Sequence, residues 1–425
     1  MIIKNFDSLA KTPLRKDALT IVEAGFEAIQ TDHVIEQNIS LSGSTLSILE
    51  QTYDLDNYEN IYVIAFGKSS YQAAQSINAI LGDKITKGYA IGVTGGDPVG
   101  KIVTVAGTHP SPSDINHRAA QQIIELLSHT TEKDLVLAFI SGGGSALFAA
   151  PYKLTVDEQA MITNTLMKLG ADIHELNIVR KHISEVKGGR LASLASPAKL
   201  VTVIFSDVPG NDLSTIASGS TVLDESTVED AQRIIDQYDL MSHIDLDAIE
   251  LSESPKDPAI FTTVDNILIL DPTSAVIAMK QKAEELGYQT EVYATELQGE
   301  ARSVGKELLE QAKSGVAVLA SGETTVNVLG NGIGGRNQEL VLANLQNINK
   351  KQVLISAASD GHDHSDSAGA IADEHSYDDA KGMNLDPKDF LETSDSFTFF
   401  TQTGDLLDTG LLESNIADMY LVLQK

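Results

Sequence analysis

The chain contains no cysteine and no tryptophan among its 425 residues. Without cysteine it has no disulfides, no thiol nucleophile and no cysteine-ligated zinc. Basic residues are scarce, since 30 Lys and Arg stand against 60 Asp and Glu, giving a net charge of −30. Nucleic acid polymers and anionic membranes attract basic surfaces, so this composition argues against both as partners.

Long apolar runs are also missing. No run approaches the ~18 residues of a membrane-spanning helix. Residues 1–20 carry charges without the apolar core of a signal peptide. The hydrophobic content of 42% is that of a globular chain that can bury a large core. We therefore expect a soluble, cytoplasmic protein.

Short apolar runs alternate with helical patterns along the chain, which predicts an α/β protein with parallel sheets. The predicted strands are Ile61–Phe66, Tyr89–Val93, Ile102–Val105, Leu135–Ile140, Leu200–Phe205, Ile267–Leu270, Glu291–Ala294, Val316–Ala320 and Val353–Ala357. The predicted helices are Ser69–Leu81, Ser113–Leu127, Thr155–Leu169, Thr227–Tyr238, Thr273–Leu286, Glu300–Lys313 and Asn337–Leu345. The stretch 245–265 lacks periodicity, so we place an N-terminal domain at 1–250 and a C-terminal domain at 260–425.

Glycine-rich turns follow several of the predicted strands, where ligands of open parallel sheets bind. In the turn Ser141–Ser145, three glycines expose backbone amides, and a following helix would add its positive end. This pattern favours an anion site, although a tight turn without a ligand accounts for it equally well.

Two other glycine patterns resemble nucleotide motifs incompletely. Gly67-Lys68-Ser69 matches the end of a Walker A loop, but Tyr62 stands where that loop needs glycine. Lys68 then either contacts a phosphate as a point charge or is an exposed residue at a helix start. Gly330–Gly335 fits the dinucleotide spacing without the strand before it or the acid after it. We interpret it as a flexible loop that leads to Arg336 and Asn337.

Two further segments concentrate charged side chains. Residues 177–190 have a helical pattern that places Arg180 and Lys187 on one face, with Arg190 at its end. In so acidic a chain this cluster either binds an anion or is a solvated surface. The stretch 360–366 is rich in Asp and His and does not match an EF-hand, so it is either a hydrated loop or a site where Asp360 binds Mg²⁺.

Taken together, the motifs resemble the glycerate kinases with a C-terminal MOFRL domain, in the family's order over nearly the whole chain. The matching segments are AFGKSS (65–70), HPSPSD (109–114), SGGGSAL (141–147), NIVRKHISEVKGGRLA (177–192), SDVPGNDLSTIASG (206–219), SGETTV (321–326), GGRNQELVLA (334–343), SDG (359–361) with AGAIAD (368–373), and TGDLL (403–407).

This resemblance implies that ATP, with Mg²⁺, phosphorylates glycerate, D-glycerate giving 2-phosphoglycerate. It implies a larger Rossmann-like N-terminal domain with a parallel sheet, a smaller α/β MOFRL-type domain, and an active site in the cleft between them. The implied catalytic residues are Lys68, Arg336, Asp207 and Asp360, and the two aspartates are also the candidates for holding Mg²⁺. The candidates for binding substrate and phosphate are Ser141, Gly142, Gly143, Gly144, Ser145, Arg180, Lys187, Arg190, Glu323 and Asn337.

Alternatives remain at this point. The glycine pattern at 330–335 keeps a hydroxypyruvate reductase using NADH or NADPH in view, and the loops would also suit a non-catalytic binding protein for a sugar acid. The turn at 409–415 departs from the family pattern, which leaves open a kinase for a related sugar acid. The expected partners are small molecules, and the sequence leaves a homodimer open.

Overall fold

The computed structural model describes residues 1–414 and 416–425, so Asn415 of the departing turn lies outside the described residues. The chain forms two compact units. We call Val34–Leu270 the central unit, and we call Met1–His33 together with Asp271–Lys425 the composite unit.

The elements follow in chain order. The chain opens with the helices α1 (Phe6–Leu9), α2 (Pro13–Ala28) and α3 (Thr31–Asn38). The next strands are β1 (Ile39–Ser42), β2 (Thr45–Ile48), β3 (Gln51–Asp54), β4 (Asn60–Phe66), β5 (Lys87–Gly92), β6 (Ile102–Ala106), β7 (Asp134–Ile140), β8 (Lys199–Phe205) and β9 (Val264–Leu270). The helices among them are α4 (Ser70–Leu81), α5 (Asp114–Leu127), α6 (Gly144–Leu147), α7 (Val156–Lys168), α8 (Ile173–His182), α9 (Arg190–Ala195) and α10 (Val228–Gln237).

The last part of the chain supplies the remaining elements. Its helices are α11 (Ser274–Glu285), α12 (Ala301–Glu310), α13 (Arg336–Asn344), α14 (Ser376–Gly382), α15 (Pro387–Leu391) and α16 (Ser396–Thr403). Its strands are β10 (Gln289–Glu300), β11 (Val316–Thr325), β12 (Gln352–Ala357), β13 (Gly369–Asp373), β14 (Leu406–Leu407) and β15 (Asp418–Gln424).

The central unit contains a six-stranded sheet in the order β6-β5-β4-β7-β8-β9, with every neighbouring pair parallel. All seven residues of β7 are buried, as expected for a strand covered on both faces. The strand order is that of a Rossmann-type sheet, so the predicted Rossmann-like fold is confirmed. The chain winds outward in one direction from β4 and in the other from β7, which makes their junction the switch point where such sheets bind ligands.

The composite unit contains a second six-stranded sheet, in the order β10-β11-β15-β12-β13-β14. Only β10 and β11 are parallel; the other pairs are antiparallel. The expectation of parallel sheets throughout was therefore wrong for this sheet. Two strands are responsible: the final strand, β15, inserts between β11 and β12 and runs opposite to both, and β13 runs opposite to its neighbours β12 and β14.

The two compact units differ from the predicted ranges of 1–250 and 260–425. At one boundary, β9 continues the central sheet beside β8, which extends the central unit to Leu270. At the N-terminus, α2 belongs to the composite unit. Gly25 of α2 lies so close to that unit that a Cβ there would be 2.7 Å from the sulfur of Met419 and 2.8 Å from Cγ of Met279.

A buried ion cluster also fastens α2 within the composite unit. The Arg15 side chain is 2% exposed. Its Nε donates to Asp373 and its Nη1 to Asp405, both at 2.7 Å, and its Nη2 donates to the Ser376 hydroxyl at 2.8 Å. Buried charges are tolerated when they are paired and hydrogen-bonded in this way.

Of the helices that the structure describes, none combines the length and the apolar character needed to span a lipid bilayer.

Candidate active site

Two loops meet at the switch point of the central sheet, one after β4 and one after β7. The amide of Lys68 donates to the carbonyl of Gly142 at 2.8 Å, and the amide of Ser69 donates to Oγ of Ser141 at 3.1 Å. Gly67 has φ of +125°, and a Cβ there would collide with the hydroxyl and carbonyl oxygens of Ser141. Glycine is therefore required for this close approach of the loops.

The Ser141–Ser145 turn differs from its prediction in one respect. The helix after it, α6, is only four residues long and begins inside the motif, so it supplies little of the expected helix dipole. The amides of Gly142 and Gly143, however, donate to no acceptor in the described part of the chain. These two amides, rather than a helix end, make the turn a candidate anion cradle.

Lys68 and His109 flank this turn. A Cβ at Gly143 would lie 3.0 Å from Nε2 of His109 and 3.3 Å from Cγ of Lys68. No described carboxylate lies within 4 Å of the Lys68 ammonium group. Burial, together with the charge of Lys68, lowers the pKa of His109 below its usual 6.5, so its ring is neutral at pH 7.

His109 was not among the predicted site residues. It follows β6, at the same edge of the sheet as the loops after β4 and β7. Its place in the HPSPSD segment, directly after a strand, was the signal in the sequence.

Arg180 and Lys187 come together in the central unit, but not as one helical face. Helix α8 ends at His182, because the following chain makes tertiary bonds instead. The amide of Glu185 donates to the carbonyl of Ala150 at 2.8 Å, where a continuing helix would have bonded Lys181. Both cations nevertheless line one cavity of about 310 Å³.

The two cations in this cavity differ in their surroundings. The Lys187 side chain is 3% exposed, and its ammonium group donates to the carbonyls of Ser145 at 2.7 Å and Phe148 at 3.2 Å. Burial and the neighbouring charge of Arg180 lower the pKa of Lys187 to about 7. Burial also lowers the pKa of Arg180, whose guanidinium group has no hydrogen-bond or carboxylate partner among the described residues.

Arg190 has a different environment from the other two. It is 8% exposed, and its Nη1 donates to the carbonyls of Lys181 at 2.7 Å and Lys187 at 3.1 Å. Its Nη2 donates to the carbonyl of Ser252 at 2.8 Å. These contacts hold the turn after α8 in place, which favours a structural role for Arg190 over the predicted contact with an anion.

The predicted aspartates occupy comparable places in the two units. Asp207 follows β8 at the edge of the central sheet that carries the two loops, and its side chain is half-buried. Asp360 follows β12 in the composite unit, and its Oδ1 accepts from the amide of His362 at 3.0 Å. The described residues include no cluster of three or more His, Asp or Glu side chains arranged to hold a metal ion.

Arg336 opens α13 and is held by two carboxylates. Its Nε and Nη2 both donate to Asp418, the latter at 3.1 Å, and its Nη1 lies 2.8 Å from Oε1 of Glu323. Burial raises the pKa of Asp418 to about 6 in spite of the arginine beside it. The Glu323 side chain is 70% exposed, whereas that of Asp418 is 3% exposed.

The segment at 330–335 forms a loop, as interpreted, and leads into α13. Asp363 accepts hydrogen bonds from the first amides of that helix, those of Asn337 at 3.1 Å and Gln338 at 2.8 Å. A carboxylate thus occupies the helix end where a dinucleotide would place its pyrophosphate. The Asn337 side chain is fully buried and bonds Asp363 and Ser356, which favours a structural role over the predicted ligand contact.

Several of the predicted residues therefore meet in the central unit: Lys68, the Ser141–Ser145 turn, Arg180 and Lys187. Arg336 and Glu323 meet in the composite unit. The cleft between the two domains stays a prediction. Sequence reasoning missed His109 and Asp418, and Asp418 lies 82 residues beyond the arginine that it holds.

Two family models match successive parts of the chain. Residues 17–252 match a domain of unknown function (DUF4147), and residues 316–418 match the MOFRL family. A D-glycerate 2-kinase of Thermotoga maritima is 34% identical, over 96% of this chain and 98% of the relative. A chain of Agrobacterium vitis, provisionally named a hydroxypyruvate reductase, is 35% identical over 85% of this chain and 98% of its own.

The fold has a solved counterpart. The crystal structure of a glycerate kinase from Thermotoga maritima matches with a TM-score of 0.85 and 32% sequence identity, covering 96% of this chain and 99% of that one. Both family matches, the full-length relatives and this structure agree with the motifs described above. The chain belongs to the glycerate kinase family that joins a DUF4147 domain to a MOFRL domain.

Proposed function

We propose that the chain phosphorylates D-glycerate on its 2-hydroxyl group, with ATP as the donor and Mg²⁺ as the metal ion. One observation carries the proposal: Lys68, Arg180 and Lys187 have no described carboxylate within 4 Å, in a chain of net charge −30. Unpaired cations at the switch point of a parallel sheet suit anionic substrates. The similarity to a D-glycerate 2-kinase over nearly the whole chain supports this choice of reaction.

The proposed phosphoryl transfer requires particular contacts from these groups. The glycerate hydroxyl oxygen forms a bond to the γ-phosphorus, the bond from that phosphorus to its bridging oxygen breaks, and ADP leaves. Such a transfer depends on positioning and on neutralising charge. We assign the Lys68 ammonium group and the amides of Gly142 and Gly143 to the transferring phosphoryl group. The hydroxyl proton goes to Asp207 or Asp360, and these two remain alternatives.

Arg336 has a narrower role than the sequence alone indicated. Its Nε and Nη2 are occupied by Asp418, so only the Nη1 edge, now paired with the exposed Glu323, is open to a ligand. A guanidinium group binds phosphate or carboxylate most strongly through two parallel hydrogen bonds. We therefore propose that Arg336 makes a single contact to an anion once Glu323 has moved.

The residues present are compatible with Mg²⁺. In kinase sites this ion needs only one or two protein carboxylates, because phosphate oxygens and water supply the other ligands. Asp360 fits this requirement, since only its Oδ1 has a hydrogen-bond partner in the described part of the chain. Either Asp360 or Asp207 would hold the ion, and the other would then accept the hydroxyl proton; the ion when bound neutralises charge on the phosphates.

Release of ADP in the presence of ATP and D-glycerate tests the proposal. We expect turnover that requires D-glycerate and Mg²⁺ and that is absent when either is left out. A parallel incubation with NADH or NADPH and hydroxypyruvate tests the reductase, the activity in the name of the Agrobacterium relative. Oxidation of the nicotinamide with no ADP release would contradict the proposed kinase. Tight binding of glycerate without turnover would instead favour a binding protein.

ATP turnover with other sugar acids addresses the third alternative. We expect D-glycerate to give the highest kcat/KM among three- and four-carbon hydroxy acids. A larger value for another acid would contradict the assignment of D-glycerate and favour a kinase for that related acid.

A further inference from the structure

The cavity that contains Arg180 and Lys187 has the features of a site for one particular part of a substrate. We propose that this cavity binds the carboxylate group of the acceptor, so that the enzyme accepts hydroxy acids and rejects neutral polyols. This inference rests on the proposed function and deepens it, because it assigns one of the two anionic substrates to a defined set of residues.

The first argument for this assignment is the charge of the side chains that line the cavity. Its lining contains Arg180 and Lys187 and no acidic residue. Arg180 is partly buried, and its guanidinium group has no hydrogen-bonding partner in the described part of the chain, so its donors are available to a ligand. Two carbonyls fix the Lys187 ammonium group and leave its third proton available. A guanidinium and an ammonium group together match one carboxylate.

The second argument is the size of the cavity and the chemical character of its lining. A volume of about 310 Å³ lies at the lower end of small-molecule sites, which suits a three-carbon acid better than a nucleotide. Pro110, Pro112 and Ala146 form apolar walls. Thr163 and Asn164 add hydrogen-bonding groups that can contact hydroxyl groups of the ligand.

The third argument is the position of the cavity beside the Ser141–Ser145 turn. Ser145 lines it and bonds Lys187 through its carbonyl oxygen. Two residues earlier in the same turn, Gly143 packs against His109 and Lys68. Pro110, the neighbour of His109, also lines the cavity. A carboxylate in the cavity therefore lies beside the turn that carries the proposed phosphoryl contacts.

Substitution of Arg180 tests the proposal. For Arg180→Met we expect the KM for D-glycerate, and its Kd measured by titration calorimetry without ATP, to rise about 30-fold or more. The KM for ATP should change by less than about threefold, and Arg180→Lys should restore part of the affinity because it keeps the charge. Arg118→Met, which removes an exposed arginine of the same unit, is the matched control and should behave as the wild type.

Three results would overturn the inference. The first is a KM for ATP that rises in place of the KM for D-glycerate, because the cavity would then hold the nucleotide. The second is an unchanged KM for D-glycerate in an active Arg180→Met enzyme. This result would contradict the proposed carboxylate site without contradicting the proposed kinase activity. The third is equal affinity of the wild type for D-glycerate and for neutral glycerol.

Direct binding separates this inference from the proposed function. The wild type could bind D-glycerate with an affinity that Arg180→Met loses, yet release no ADP. That result would support the carboxylate site and contradict the proposed kinase activity. Thermal unfolding of Arg180→Met serves as a check on folding. If that variant unfolds, Lys187→Met gives a second test with the same expected rise in the Kd for D-glycerate.

Discussion

The lowered pKa of Lys187 predicts that acceptor binding depends on pH in a definite direction. With a pKa of about 7, the side chain is half charged at pH 7 and becomes neutral as the pH rises. A carboxylate needs the charged form, so its affinity is full below about pH 6 and falls above pH 7. The perturbation is therefore a change of pH alone, applied to the unmodified protein.

The size of the effect follows from the fraction of charged lysine. About half of the Lys187 side chains are protonated at pH 7 and about one in a hundred at pH 9. Since the apparent Kd is the intrinsic value divided by the competent fraction, the Kd for D-glycerate should be larger at pH 9 than at pH 7 by up to about 50-fold, the limit set by the weaker binding that Arg180 alone supports. The bound anion raises the pKa of Lys187 again, so binding at pH 8–9 should take up close to one proton.

Calorimetric titrations at pH 6, 7, 8 and 9, in buffers of different ionisation enthalpy, measure both quantities. The groups around Lys187 simplify the interpretation: Arg180 stays charged, the carbonyls of Ser145 and Phe148 do not titrate, and His109 is already neutral above pH 7. Lys187→Met should bind more weakly with a flat profile. A Kd that changes less than about threefold between pH 7 and 9 would refute the reasoning.

Three further predictions concern charge at the site and the fold. Lys68→Ala should lower kcat/KM about 100-fold or more, whereas Lys84→Ala, which changes an exposed lysine, should leave kcat/KM unchanged. Near-normal activity of the Lys68→Ala enzyme would show that Lys68 does not act in the site. Asp360→Asn should raise the Mg²⁺ concentration needed for half-maximal activity, and an unaltered Mg²⁺ titration would exclude Asp360 as a ligand. Arg15→Met leaves the buried Asp373 without a cationic partner and leaves Asp405 with the partly exposed Lys11 alone. Denaturant titration should therefore show a free energy of unfolding lower by about 3 kcal/mol, against less than about 0.5 kcal/mol for the exposed Arg233→Met. Equal losses in the two variants would contradict the role of the buried cluster.

The elements that could be predicted are those whose signal is local. Strand β7 is a continuous apolar run bounded by polar residues, and its burial on both faces follows from that run. The helices α7 and α10 begin directly after Thr155 and Thr227, whose side chains cap them. Loops at strand ends were also predictable, because parallel strands bring their carboxyl ends to one edge of the sheet.

The features that escaped prediction depend on contacts between distant residues. Strand β15 pairs with two strands far back in the chain, and that pairing makes the second sheet mixed. Helix α2 joins the composite unit through Arg15, whose carboxylate partners lie more than 350 residues later. Helical periodicity continued past His182 in the sequence, but a bond between Glu185 and Ala150 ends α8 there. Tertiary bonds override local propensity at such points.

The most direct measurement for the central claim is the identity of the phosphorylated product. The enzyme is incubated with ATP, Mg²⁺ and D-glycerate, and the product is passed to enolase with no phosphoglycerate mutase present. Formation of phosphoenolpyruvate by the wild type, and its loss in Lys68→Ala, is the predicted result, because enolase acts on the 2-phosphate. Consumption of ATP without any phosphoenolpyruvate, or full activity of the Lys68 variant, would contradict the account.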